Sequence, residues 1–157
     1  MIHKHGQDRR YHHVRMGLNS RLDTLQAAVL LAKLEIFDKE VRLRGEIGAR
    51  YSEMLWKVPG VIVPYIEPHN TSVYAQYTIR VQNREAVQEK LREAGIPTAV
   101  HYPIPLNQQP MFDYLQQGTG SVPVADKVAK EVMSLPMSAW VKDEDMRAVV
   151  ESLIARI

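Results

Sequence analysis

Residues 17–34 read Gly17-Leu18-Asn19-Ser20-Arg21-Leu22-Asp23-Thr24-Leu25-Gln26-Ala27-Ala28-Val29-Leu30-Leu31-Ala32-Lys33-Leu34, a polar turn that runs unbroken into an apolar helix. Ser20 is the expected cap, with the Asp23 carboxylate three residues later facing the positive end of the helix dipole. Leu22, Leu25, Val29, Ala32 and Ile36 form one stripe at helical spacing, and Leu30, Leu34 and Phe37 form a second. A helix apolar on two faces is expected in a core or against another subunit. Asn19 and Arg21 stand at its mouth, where helix starts attract anions. From spacing alone the plainer reading comes first: Asn19 shapes the turn, and Arg21 is half of a surface ion pair.

The pattern continues downstream. Leu43, Ile47, Tyr51, Met54 and Val58 extend the stripe, with Arg42, Arg44, Glu46, Arg50 and Glu53 on the wet side, until Pro59-Gly60 stops it. From Arg21 to Lys57 one straight helix would span roughly 55 Å, with a bend plausible near Asp38–Glu40. Such a rod suits a connector between domains or along a dimer seam.

A strand-rich part follows. Val61-Ile62-Val63 is short, and Val73–Val81 alternates cleanly, so it is the expected main strand. Asn83 is expected to cap a helix over 84–94 that buries Val87, Leu91 and Ala94, and Gly95 ends it. Ile96–Val100 is expected to return as a strand. Then comes His101-Tyr102-Pro103-Ile104-Pro105-Leu106-Asn107-Gln108-Gln109-Pro110, whose prolines exclude regular structure and stiffen the loop. A stiff polar-aromatic loop at a strand end is a common place for ligand contacts, or else a corner packed by its own tyrosine. Met111–Leu115 reads as one helical turn. Pro123–Met133 reads as a helix with Val124, Val128 and Val132 inward, Ser134–Met137 as a short buried strand, and Asp143 onwards as a last helix burying Met146, Val149, Leu153 and Ile157. The fold class is therefore α/β, of the α+β kind. Residues 1–57 form an N-terminal loop and long connecting helix, and residues 58–157 a small two-layer α/β sandwich.

Composition narrows the classes. The chain has 157 residues, 45% hydrophobic and 24% charged, which fits one globular piece with a sizeable core. A formal net charge of +2 gives no case for nucleic acid or an acidic membrane surface. There is no cysteine, hence no disulfide and no thiol nucleophile, which fits a reducing cytoplasm. No apolar run approaches the roughly 20 residues that span a bilayer, and no signal peptide is visible. His3, His5, His12 and His13 invite a metal reading, but no acidic residue completes a site at a suitable spacing, so no metal is expected.

Three motifs carry a resemblance. Gly17-x-Asn19-x-Arg21-Leu22-Asp23-x-Leu25-Gln26-Ala27-Ala28, then Gly95-Ile96-Pro97-Thr98-Ala99-Val100-His101-Tyr102-Pro103-x-Pro105-Leu106, then Ser134-Leu135-Pro136-Met137, occur in the order found in the DegT-type (StrS-type) nucleotide-sugar aminotransferases. The chain is most similar to the subgroup that aminates UDP-linked 3-oxo sugar acids. The resemblance implies the C-terminal portion of an aspartate-aminotransferase-like, fold type I enzyme dependent on pyridoxal phosphate. It implies an amino group taken from glutamate and passed to a nucleotide-linked keto-sugar for cell-surface polysaccharide such as O-antigen, in a cytoplasmic homodimer. Family members are longer, and their cofactor lysine lies upstream of the matching region, so no catalytic residue is expected here and the chain alone is expected to be inactive. By resemblance, Asn19 reaches the cofactor phosphate across the dimer interface. Arg21 takes a second anion, either a sugar carboxylate or the diphosphate, and His101 and Tyr102 complete the substrate pocket. The alternative is a non-catalytic binding or self-association domain descended from the family.

Overall fold

A computed structural model describes residues 1–20 and 22–157. It divides into two compact units, Met1–Lys39 and Glu40–Ile157. The boundary falls inside the longest element, helix α1 (Thr24–Leu55), whose assignment is unbroken through Asp38–Glu40.

The first unit opens with a hairpin of β1 (Gln7–Arg9) and β2 (His12–His13). Around it the chain pairs with itself. His5 N–H donates to Leu18 O at 2.9 Å, Leu18 N–H to Ile2 O at 2.8 Å, and Ser20 N–H to His3 O at 3.1 Å. This ladder corrects the expected cap. Ser20 is held in the pairing, so the helix starts later, with Asp23 Oδ1 accepting from Leu25 N–H at 3.2 Å and Asp23 O from Ala27 N–H at 2.8 Å. Along the N-terminal half of α1, Leu25 is 79% exposed, and Val29, Leu31, Leu34 and Phe37 are exposed with it, so of the two expected covers, a core or another subunit, the described residues supply no core.

The second unit is built on a three-stranded antiparallel sheet, β3 (Val61–Ile62), β4 (Tyr77–Val81) and β5 (Val132–Leu135), in the order β3-β4-β5. The register pairs Tyr77 with Leu135, Thr78 with Ser134, Ile79 with Met133 and Arg80 with Val132. Alternation therefore puts Tyr77, Ile79, Met133 and Leu135 on one face. That face shares a single core with Tyr51 and Leu55 of α1, Val87 and Leu91 of α2 (Arg84–Glu93), and Met146, Val149 and Leu153 of α4 (Asp143–Ile154). One layer of sheet under one layer of helices is the expected two-layer arrangement. Between α2 and α4 runs α3 (Pro123–Glu131), shorter than expected because Val132 already belongs to β5. Val124, Ala94 and Ile157 lie outside the core rather than in it.

Three further expectations are corrected, each by a local competitor for the backbone. The main strand is five residues rather than nine. Arg44 of α1 donates to the carbonyls of Val73 (2.9 Å), Tyr74 (2.7 Å) and Ala75 (3.0 Å), taking acceptors that a ladder would need. Asn83 sits before α2 with a left-handed backbone (φ 50°) and no capping bond from its side chain; its main-chain oxygen accepts instead from Ala86 and Val87. The segment 96–100 touches β5 only at Ala99, as an isolated bridge to Ser134.

Paired charges tie the elements together. Arg50 of α1 grips Asp143 at the start of α4 through two bonds of 2.6 and 2.9 Å. Arg80 does the same to Glu131 at 2.9 and 2.6 Å, and this guanidinium holds the Glu131 carboxyl below its ordinary range.

The core also contains two stacked phenols. The rings of Tyr51 and Tyr77 lie 4.9 Å apart, with Tyr51 donating to Pro136 O at 3.0 Å and Tyr77 to Ser52 Oγ at 2.8 Å. Burial is the main cause that pushes both hydroxyls up to about 12 from the ordinary 10.0. A folded-state value above the unfolded one means stability that is complete below pH 10 and lost as pH rises towards 12. Urea unfolding curves taken from pH 9 to 12 are expected to show a steady fall in stability above pH 10, shallower in Tyr51→Phe. A flat profile across that range would contradict the buried-phenol account.

Candidate functional site

Asn19, the first predicted site residue, is placed by a close approach of backbones. It forms an isolated antiparallel bridge with Lys4, one residue beyond the point where Leu18 pairs with Ile2 and His5. Gly17 makes this possible. A Cβ there would lie 2.1 Å from Gly6 N, 2.5 Å from His5 C and 2.6 Å from the Ile2 carbonyl oxygen, all main-chain atoms that cannot give way. Gly6 is crowded too, by a different neighbour: a Cβ there would meet Arg15 O at 1.8 Å. The glycine that opens the first motif thus holds Asn19 exposed on a rigid ladder, shortly before the helix begins. Arg21 lies outside the described residues.

His101 and Tyr102 belong to the second unit. The chain leaves α2 through Gly95, whose backbone has φ 77°, and is pinned to β5 where Ser134 N–H donates to Ala99 O at 2.7 Å and Ala99 N–H to Ser134 O at 3.2 Å. Two residues on, His101 Nδ1 meets Ser134 Oγ at 3.1 Å. Ser134 Oγ in turn meets Thr78 Oγ1 at 2.9 Å. Tyr102 stands edge-on to the His101 ring at 5.8 Å between centroids and is 75% exposed. The peptide between them is cis. A cleft of about 250 Å³ opens here, lined by His101 and Ser134 with Gln76, Thr98, Pro136 and Met137.

Downstream, the loop is braced rather than loose. Asn107 Nδ2 donates to Gln117 O at 2.9 Å and Gly118 O at 3.2 Å, and Gln108 Nε2 donates to Asp126 of α3 at 2.5 Å. The stiffness expected from the prolines is therefore reinforced by side-chain bonds across the loop.

The second and third motifs thus meet in space. The sequence pattern places Ser134 in a buried strand and gives neither it nor Thr78 a chemical role. The available signal was a hydroxyl at the centre of an otherwise apolar strand, Val132-Met133-Ser134-Leu135, where a buried polar group requires a partner.

All eight lysines are exposed, so none is enclosed in the desolvated setting that an imine-forming amine uses. What this chain offers is the Asn19 amide, suited to one hydrogen bond to a phosphate. Among the described residues no cluster of three or more His, Asp or Glu is arranged to hold a metal ion, and no helix is long and apolar enough to cross a membrane.

Residues 1–154 match the family described as DegT/DnrJ/EryC1/StrS aminotransferases. The chain belongs to this family. It is 54% identical over 152 residues to the UDP-2-acetamido-2-deoxy-3-oxo-D-glucuronate aminotransferase of Pseudomonas aeruginosa, covering 97% of this chain and 41% of that protein. It is 37% identical to the dTDP-3-amino-3,6-dideoxy-alpha-D-galactopyranose transaminase of Aneurinibacillus thermoaerophilus, covering 98% and 41%. Among solved structures, S. venezuelae DesV in complex with a ketimine intermediate superposes with a TM-score of 0.92 at 31% identity, covering 99% of this chain and 42% of that one. The chain spans about two fifths of the length of these relatives and corresponds to their C-terminal part. The family's enzymes depend on pyridoxal phosphate.

Gly17→Ala tests how Asn19 is held. Amide exchange is expected to show lost protection at His5, Leu18 and Ser20, with Ile79 and Met133 in the sheet unchanged. Retained protection at the three ladder amides would show that the close approach of Gly17 to Gly6 is not required.

Proposed function

We propose that this chain is the C-terminal portion of a nucleotide-sugar aminotransferase that moves an amino group from glutamate to a UDP-linked 3-oxo sugar acid. The observation that carries this is the 54% identity to the Pseudomonas aeruginosa aminotransferase over 152 residues, nearly the whole chain. Pyridoxal phosphate, when bound in the complete enzyme, supplies the electron sink for moving the amino group between carbon skeletons. Residues 1–57 contribute the loop and connecting helix, and residues 58–157 the small domain.

Each proposed site residue has a physical task. Asn19 donates its amide to the cofactor phosphate of a partner subunit. Arg21 offers a guanidinium fork to a carboxylate or to the diphosphate. His101 gives a hydrogen bond to a sugar or phosphate oxygen from a braced loop, and Tyr102 adds an aromatic wall with a hydroxyl at its tip. In the cell the enzyme works in the cytoplasm as a homodimer and feeds cell-surface polysaccharide such as O-antigen. The exposed apolar face of α1 supports the dimer, because a patch of that kind marks an interface. The same face favours a second reading, a family-derived self-association domain without catalysis, which dimerises but binds no nucleotide sugar.

Titration with UDP-glucuronate, a stable UDP-linked sugar acid, separates the two. Binding is expected, weakened about tenfold (about 1.4 kcal/mol) in His101→Ala and less in Tyr102→Phe. No binding, or equal binding by His101→Ala, would remove the substrate role. With glutamate and a keto-sugar nucleotide the purified chain is expected to give no turnover; measurable turnover would refute the need for an upstream lysine. Light scattering is expected to report a dimer that Leu31→Glu converts to monomer, and a monomeric parent would refute the interface.

A further inference from the structure

We propose that Ser134 and Thr78 are positioning residues that lock the His101 imidazole in its Nε2–H tautomer, so that the outer edge of the ring is a permanent hydrogen-bond donor. The proposal rests on the reading above only for what that edge meets, an oxygen-rich anionic ligand such as a nucleotide sugar. The lock itself follows from bonds within this chain.

Ser134 is 5% exposed and its main chain is fully committed. Both its N–H and its C=O go to Ala99, so they point away from β4. Its pairing with Thr78 is therefore the non-hydrogen-bonded kind, in which facing side chains come closest in an antiparallel ladder. That brings the two hydroxyls to 2.9 Å. His101, two residues beyond Ala99, is the diagonal neighbour on the same face, and its Nδ1 reaches Ser134 Oγ at 3.1 Å.

Three groups in a row allow three patterns of donation, and the one in which Ser134 accepts from both neighbours leaves its own buried hydroxyl hydrogen with no side-chain acceptor among the described residues, so two remain. In one, Nδ1–H donates to Ser134 and Ser134 donates to Thr78. The Thr78 hydroxyl hydrogen then has no side-chain acceptor among the described residues and must turn to solvent from a half-buried position. In the other, Thr78 donates to Ser134 and Ser134 donates to the Nδ1 lone pair. Here both hydroxyl hydrogens are used, and only a spare oxygen lone pair is left, which costs less than an unpaired donor. The second direction is the one satisfied within the protein. It makes Nδ1 an acceptor and so places the ring proton on Nε2, at the opposite edge. Each bond in the row polarises the next, which strengthens the choice. A donor fixed before the ligand arrives needs no reorganisation when it binds.

The test is nitrogen-15 NMR of the imidazole rings in the whole chain, under alkaline conditions where imidazoles are neutral. His101 is expected to show a protonated Nε2 and a bare Nδ1, with this tautomer in roughly tenfold excess, as one added hydrogen bond implies. Ser134→Ala is expected to cut the excess severalfold, and Ser134→Thr, which keeps the hydroxyl, to restore it. Thr78→Val keeps the strand and the side-chain shape while removing the first donor, so it is expected to weaken the lock without disturbing the amide spectrum of the sheet. A protonated Nδ1 in the parent chain would overturn the proposal, as would a tautomer ratio that neither Ser134→Ala nor Thr78→Val changes. A parallel titration with UDP-glucuronate keeps the outcomes apart. A locked ring that binds no nucleotide sugar refutes the substrate role and leaves the lock standing. Binding by a ring indifferent to Ser134 does the reverse.

Discussion

The antiparallel pairing of β4 with β5 is the constraint on which the second unit depends. Because side chains alternate across a strand, the same few residues serve two surfaces at once. Tyr77, Ile79, Met133 and Leu135 face the helices and close the core; Thr78 and Ser134 face the other way and carry the candidate site. A slip of one residue in this register would put the hydroxyls in the core and the apolar side chains under the loop. The site and the fold therefore share one specification. The His101 loop inherits its position from the most buried part of the sheet rather than from its own sequence.

Around that sheet, several backbone groups are claimed by side chains rather than by neighbouring strands. Arg44 is the clearest case. Its guanidinium serves three successive carbonyls and fixes residues 73–75 against α1, where Tyr74 lies so close to Gly48 that a Cβ at that glycine would sit 2.2 Å from its ring. A planar cation with several donors suits this task better than a point charge. The consequence is a short β4 whose first residue, Tyr77, starts directly under Tyr51. Arg50 and Arg80 act similarly at longer range, each gripping a carboxylate at an element end.

The first unit follows a different logic. It has little core of its own, and its order comes from main-chain pairing made possible by two glycines at close backbone approaches, Gly17 against His5-Gly6 and Gly6 against Arg15. That pairing presents Asn19 and delays the start of α1 to Thr24. The apolar stripe that follows is a true helical stripe, yet it faces solvent in this chain. Amphipathic periodicity reports that a face requires burial. It does not report which polypeptide supplies the cover.

What the sequence determined by itself was whatever rests on local periodicity and on motif order. The long helix, the helices starting at Arg84, Pro123 and Asp143, the stop at Gly95 and the family were all legible, because spacing, caps and ordered motifs are properties of neighbouring residues. Tertiary structure alone decided the choices between competing partners for the same backbone group. Ser20 left its expected cap for a ladder with His3. Residues 73–75 left the strand because Arg44 took their carbonyls, and 96–100 kept only the single bridge at Ala99. The meeting of His101 with Ser134 and Thr78 belongs to the same class. Those residues lie 33 and 56 positions apart in their successive bonds, and only the strand register brings them within hydrogen-bonding distance.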